Sequence, residues 1–111
     1  MKLLIYVMNQ PHRLKELMRD FADNGIKGAT VLEAQGMAQF LKDTLHPLYT
    51  ERLSGLVDFN HHQPQLILLI IPDEQVNLVY QLIGRISGDF QEPNSGIAFT
   101  LALDSLRGYK G

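Results

Sequence analysis

Side chains that could do chemistry are few in this sequence, and their spacing suits no familiar reaction. His46, His61 and His62 are the one cluster of potential metal ligands, but adjacent histidines point in opposite directions on an extended chain and no cysteine accompanies them. Asp104 and Ser105 could join a distant histidine in a hydrolytic triad, yet there is no nucleophile elbow and no glycine-rich oxyanion loop. No Walker-type phosphate loop or dinucleotide fingerprint occurs either. We therefore expect neither a metal site nor an enzyme.

The composition predicts one globular domain. With 111 residues, of which 45% are apolar, the chain can build a single core, and we expect one domain over residues 1–111. The net charge of −2 gives no reason to expect nucleic acid or an anionic membrane as a partner. The opening run MKLLIYVMNQP is too short to span a membrane and has no cleavage site. With no cysteine in the chain, we expect a cytoplasmic protein without membrane insertion.

The sequence predicts the same strand-helix-strand unit twice along the chain. Its first copy runs from a strand over Lys2–Met8, through a helix that Pro11 starts and Gly25 ends, to a strand over Gly28–Ala34. The apolar positions of this helix follow the i, i+3, i+4, i+7 pattern of one buried face. They are Leu14, Leu17, Met18, Phe21 and Ala22.

The second copy has the same order of elements. A strand over Gln65–Ile71 is followed by a helix from about Asp73 and by a strand over Gly96–Leu103. Asp73 and Glu74 stand where the positive end of the helix dipole favours acidic side chains. The predicted buried stripe of this helix is Val76, Val79, Tyr80, Ile83 and Ile86.

Two strand-helix-strand units predict an α+β protein with β-α-β-β-α-β order. This is the ferredoxin-like arrangement, a four-stranded antiparallel sheet with both helices on one face. The other face is left bare, and a wet face should alternate apolar and polar residues, whereas Leu66–Ile71 is apolar throughout. Because the remaining chain is too short for a third layer, we predict that another copy covers this face and that the protein is a homo-oligomer.

The connection between strands two and three, residues 36–64, is unusually long. Connections of this length without regular structure are uncommon in compact domains and are usually functional or disordered. Its many apolar residues argue against a permanently solvated linker. We expect a helix over Met37–Leu45, closed by Pro47. The loop either folds back over its own domain or a sister subunit, or docks a partner protein.

The run NGIKGATVLEAQGM resembles the second-strand motif of the nitrogen regulatory PII proteins and their PII-like relatives. In that family, Gly-Ile-x-Gly-x-Thr-Val-x-Glu-x-x-Gly leads into a long flexible T-loop. Three further pieces resemble the family in order along nearly the whole chain: VDF at Val57–Phe59, PDE at Pro72–Glu74 and SGIAF at Ser95–Phe99. On these motifs, the chain is similar to a divergent PII-like signalling protein.

This resemblance implies a homotrimer that binds an adenine nucleotide or a related small effector in clefts between its subunits. It also implies a T-loop, here residues 36–64, that changes shape to engage a target protein. Gly36 would let backbone amides approach a phosphate or carbonyl closely. The candidate effector-site residues, on the family's motif positions, are Thr30, Gly36, Met37, Ala38, Ser95, Gly96 and Lys110.

The chain departs from the family at several charged positions. The loop-root pattern Gly-Phe-Gly-Arg-Gln reads here as residues 36–40, and the phosphate-binding Gly-Asp-Gly-Lys reads as Asn94 to Ile97 without its lysine. The paired arginines of the family fall on Gly108 and Lys110. Each charge-assisted contact contributes roughly 1.5–3 kcal/mol where water is excluded. We therefore expect weakened ATP binding, and a less charged effector, another nucleotide or no ligand at all remain as alternatives.

From these observations we predict a non-enzymatic signal-transduction protein. A ligand-independent interaction module on the same trimeric scaffold is the main alternative, and a small metabolic enzyme is another. An RNA-binding module shares the order of strands and helices, but the third strand lacks the aromatic and basic side chains that stack and pair with bases. Tyr49 lies where some family members carry a modified tyrosine, although its surroundings do not match theirs.

Overall fold

The computed structural model describes residues 1–37, 40–41, 64–91 and 95–111. The elements, in chain order, are β1 (Lys2–Met8), α1 (Leu14–Asp23), β2 (Thr30–Glu33), β3 (Gln65–Ile71), α2 (Val76–Ser87) and β4 (Ile97–Ala102). A short 3-10 turn precedes each helix, Pro11–Arg13 before α1 and Asp73–Gln75 before α2. None of the helices in these ranges has the length and hydrophobicity that a membrane crossing needs.

The four strands form one sheet in the order β2-β3-β1-β4, and all neighbouring strands are antiparallel. This α+β architecture is compatible with the ferredoxin-like arrangement predicted from the repeated unit. Side chains from both helices meet one face of the sheet in a single core. Arg13 ties the two helices together, because its guanidinium donates a hydrogen bond of 2.7 Å to the backbone oxygen of Ile86 at the end of α2.

Alternation along β1 and β3 separates the two faces of the sheet. The face under the helices is fully buried at Leu4, Tyr6 and Met8 of β1 and at Ile67, Leu69 and Ile71 of β3. These strands have the predicted boundaries, whereas β2 and β4 are each shorter than predicted at both ends. The prediction that Ala22 lies on the buried face of α1 is wrong, because Ala22 is exposed. Leu17 and Phe21 are the fully buried residues of this helix.

The opposite face of the sheet is mostly apolar, and the described residues leave much of it uncovered. We call it the bare face; its side chains are Leu3, Ile5 and Val7 of β1, Thr30 and Leu32 of β2, Leu66, Leu68 and Ile70 of β3, and Ile97, Phe99 and Leu101 of β4. Its flanks are the most open part, with Ile97 59%, Leu101 51% and Leu32 47% exposed. Fully burying such a side chain contributes about 1.5–3 kcal/mol, so covering each half-exposed one would add about 1 kcal/mol.

Candidate functional site

A cleft of about 590 Å³ lies at the end of the bare face where β1 begins and β3 ends. We call it the basic cleft. Its floor is apolar and includes Leu3, Leu68 and Ile70, while Lys27, Thr30, Arg107, Tyr109 and Lys110 are among its other lining residues. A volume of this size is typical of small-molecule sites in proteins.

The turn between α1 and β2 carries one wall of the basic cleft. Ile26 anchors the turn, since its side chain is buried in the core and its N–H donates to the backbone oxygen of Phe21 at 2.8 Å. Gly28 follows with φ +75°, a left-handed conformation that side-chain-bearing residues rarely adopt. This reversal leaves Lys27 exposed on the wall and lets Thr30 begin β2 opposite Leu68.

The carboxy-terminal segment after β4 forms the other wall. The N–H of Leu103 donates to the backbone oxygen of Met1 at 3.3 Å, which holds the start of this segment beside β1. Leu106 is half-buried, while Arg107, Tyr109 and Lys110 are exposed. Because these residues line the same cleft as Lys27 and Thr30, the segment crosses the end of the bare face from β4 towards β2.

The charged side chains that line the basic cleft are all positive. Lys27, Arg107 and Lys110 contribute three cations, and no described residue forms a salt bridge with any of them. Among the described residues, no Asp, Glu or His lines the cleft. An apolar floor beside unpaired cations and the hydroxyls of Thr30 and Tyr109 can hold a small molecule that combines an apolar body with an anionic group. Among the described lining residues, no side chain offers a carboxylate or imidazole to act as a general base.

Two of the predicted effector-site residues, Thr30 and Lys110, meet in the basic cleft. Ser95 and Gly96 lie elsewhere, at the start of β4. The backbone oxygen of Ser95 accepts a hydrogen bond of 2.8 Å from the buried hydroxyl of Tyr6. Gly96 has φ +87°, and a Cβ on it would lie 2.1 Å from the backbone oxygen of Val7. In the single chain, these two residues therefore join the loop before β4 to the centre of the sheet.

Gly36 and Met37 lie at the root of the long connection, and Ala38 is outside the described residues. The N–H of Ala34 donates to the backbone oxygen of Pro64 at 2.9 Å, so the two ends of the connection are held together. Met37, Phe40 and Leu41 are helical, in agreement with the start of the expected helix; its remainder is not described. Met37 is 72% exposed and Phe40 53% exposed.

The described residues of the predicted site thus fall into two groups, one at the loop root and the start of β4 and the other in the basic cleft. Gln65 stands beside the loop root, and Ile70 is on the floor of the basic cleft. Ile70 is five residues from Gln65 in β3, about 16 Å along the strand, whereas Leu68, the partner of Thr30, is three residues from Gln65, about 10 Å along it. One subunit alone does not bring Gly36 and Gly96 to Thr30 and Lys110.

Sequence reasoning missed Lys27 as a lining residue and did not count Arg107 or Tyr109 in the site. A signal for Lys27 was available, because a lysine between Gly25 and Gly28 is held in a turn just ahead of a strand. Arg107 also had a signal, because it is adjacent to Gly108, where one of the family's paired arginines falls. No comparable signal marked Tyr109, since its position depends on how the carboxy-terminal segment crosses the sheet. The histidines His46, His61 and His62, and Tyr49, lie outside the described residues.

Comparison with protein-family models finds no match for this chain, and comparison with curated proteins finds none either.

Proposed function

We propose that this chain is a PII-like regulatory protein, in which a small effector bound between subunits controls how the Gly36–Pro64 loop engages a target protein. The observation that carries the proposal is the division of the predicted site into two separate groups on one sheet. In an oligomer built head to tail, the loop root of one copy would face the basic cleft of the next. In such an arrangement, residues from two neighbouring subunits would together form the effector site.

The bare face supports the oligomeric part of this proposal. It is a continuous apolar surface on a four-stranded sheet, and monomeric proteins rarely leave such a surface open to water. Covering it with the same face of neighbouring copies would bury the exposed side chains of Ile97, Phe99 and Leu101. A homotrimer is the assembly that the sequence resemblance favours.

The basic cleft supports the effector part. Its cations suit a phosphate or carboxylate group, and its apolar floor suits the flat face of a base or ring. Lys27, Arg107 and Lys110, which form no salt bridge with any described residue, would supply part of the charge that the sequence lacks at the family's phosphate-binding motif. We therefore propose a nucleotide or a similarly built anion as the effector, with a mono- or diphosphate favoured over a triphosphate.

The loop root supports the target-protein part. The hydrogen bond from the N–H of Ala34 to the backbone oxygen of Pro64 holds the two ends of the connection together. A conformational change at Gly36 would therefore move the segment that follows it. Met37 and Phe40 present exposed apolar side chains at this root. These side chains suit contact with a protein surface, and they also fit the alternative of a module that binds its partner without any effector.

Native mass spectrometry of the purified protein tests the proposal. It would be recorded alone and then with AMP, ADP, ATP, cyclic dinucleotides and 2-oxoglutarate at micromolar concentrations. We expect a trimer that carries up to three copies of one ligand. A trimer that binds none of these compounds would favour the ligand-independent module, and a monomer would contradict the proposed assembly.

A further inference from the structure

The outer edge of β4 differs from the other edge of the sheet. Among the described residues, β4 pairs only with β1, so the N–H and C=O groups of alternate residues point away from the sheet without a strand partner. Proteins usually protect such edges with proline, charged side chains, bulges or short strands. β2, at the opposite edge, has four residues and includes Glu33, whereas the six residues of β4 include no proline, glycine or charged residue.

A groove runs beside this unprotected edge on the helix side of the sheet. It has a volume of about 500 Å³ and lies between α2 and β4. Asn77, Tyr80 and Gln81 line it from one face of α2, and Ala98 lines it from β4. Ala98 shares the face of Tyr6, its partner in the β1–β4 pairing, and its small side chain leaves the groove open beside the strand.

One end of the groove carries a negative charge. Asp89 and Phe90 line it there, and both have left-handed backbone conformations, with φ of 59° and 63°. The N–H of Asp89 donates to the backbone oxygen of Gly84 at 2.9 Å, and that of Phe90 donates to the hydroxyl of Ser87 at 3.1 Å. These bonds hold the turn, and no described cation forms a salt bridge with the exposed Asp89.

We propose that the β4 edge binds an extended peptide segment of another protein, which adds to the sheet as a fifth strand. Backbone hydrogen bonds to β4 would supply affinity, and alternate side chains of the peptide would enter the groove beside α2. A lysine or arginine of the peptide would pair with Asp89. The groove shares no lining residue with the basic cleft, so the proposal does not depend on the effector.

Amide hydrogen exchange of the free protein, resolved by NMR, is the first test. We expect alternate amides of Ile97–Ala102 to exchange more than about a hundredfold faster than the amides between them, because only the latter bond to β1. Uniform protection of all six amides would overturn the proposal, since it would mean that another segment already occupies the edge.

Selection from displayed nine-residue peptides with a fixed central lysine is the second test, followed by fluorescence anisotropy on the synthesised binders. In a bound peptide strand, alternate amides would face β4 and the others would face away from it. We expect N-methylation of the amides that face β4 to weaken binding more than about tenfold, and N-methylation of the other amides to have little effect. Asp89→Asn should weaken binding by about fivefold, while the exposed Asp23→Asn on α1 should not. The proposal would be overturned if no binder were recovered. It would also be overturned if neither set of N-methylated peptides bound more weakly, or if Asp89→Asn left binding unchanged.

Discussion

The hydroxyl of Tyr6 donates a hydrogen bond of 2.8 Å to the backbone oxygen of Ser95, although the two residues are 89 positions apart in the sequence. Tyr6 is fully buried in the centre of β1, and its ring meets that of Phe90 edge to face at a centroid distance of 6.0 Å. The hydroxyl of this buried side chain thus holds the loop before β4 in place by a hydrogen bond. The same loop contains Gly96, one of the predicted effector-site residues.

Tyr6→Phe should destabilise the fold by about 1–3 kcal/mol. The substitution keeps the ring but leaves the buried oxygen of Ser95 without its donor, and an unsatisfied buried acceptor costs about that much. Urea unfolding followed by circular dichroism would measure the difference in the free energy of unfolding. Tyr109→Phe is the control, because Tyr109 is exposed and should tolerate loss of its hydroxyl. Equal stability of the wild type and Tyr6→Phe would contradict the assigned hydrogen bond.

The same tyrosine predicts a loss of stability in alkali. Burial raises the pKa of Tyr6 above its usual value of 10.0, and the positive charge of Arg13 opposes this rise. The folded state therefore holds the proton more tightly than the unfolded state. The contribution of Tyr6 is fully present below pH 10 and is lost as the pH rises through the folded-state pKa. Unfolding free energies from pH 8 to 11 should fall more steeply for the wild type than for Tyr6→Phe; parallel curves would contradict this assignment.

Gly96→Ala should destabilise the protein strongly, by about 3 kcal/mol or more. The added Cβ would meet the backbone oxygen of Val7, and the backbone of Gly96 has a conformation that alanine rarely adopts. Gly36→Ala provides a matched control, since a Cβ there meets no atom of the described residues within 4 Å. Thermal and urea unfolding of both variants would measure how much stability each substitution removes. Similar stability of the two variants would show that Gly96 is not required for the packing of β4 on β1.

The bare face should fail to assemble once it carries charge. Phe99→Glu combined with Leu101→Glu places two carboxylates on its most open flank, and burying them at an interface would be strongly unfavourable. We expect a folded monomer by analytical ultracentrifugation and circular dichroism. Lys15→Glu with Arg19→Glu adds two carboxylates to exposed positions of α1 and should leave the assembly unchanged. A double variant that keeps the wild-type mass would exclude this face as the interface.

Removing the cations of the basic cleft should weaken anion binding. Lys27→Gln, Arg107→Gln and Lys110→Gln together should lower the affinity for a bound nucleotide by roughly tenfold to a hundredfold, because each exposed charge contributes modestly. Isothermal titration calorimetry at several salt concentrations would also show a flatter salt dependence for the triple variant. Arg85→Gln, on an exposed position of α2, is the control. Unchanged affinity in the triple variant would place the anion elsewhere.

The order of the elements could be predicted because each carries a local signal. The boundaries of β1 and β3 follow from continuous apolar runs, and the sheet order then follows from the handedness of the two crossovers. The shorter β2 and β4 could not be predicted to the residue. Gly28 and Gly96, which were expected to start them, both adopt left-handed conformations that exclude them from the strands.

The candidate site was less predictable, because it depends on contacts between distant parts of the chain. Thr30 and Lys110 were identified by resemblance alone, and their common cleft depends on the path of the carboxy-terminal segment across β1 and β3. Ser95 and Gly96 carry a packing constraint that their sequence context does not reveal. The contact of Gly96 with Val7 and its left-handed backbone conformation explain why a glycine is needed there.

The walls of the basic cleft come from the turn before β2 and from the carboxy-terminal segment, and its floor comes from β1 and β3. Unfolding separates these pieces, so a molecule that needs all of them will bind the native state alone. Thermodynamic linkage then makes the melting temperature a sensor of occupancy, since a ligand at a hundred times its Kd raises the stability by about 2.7 kcal/mol. A metabolite collection can thus be searched for the effector by heating the protein, without knowledge of its target.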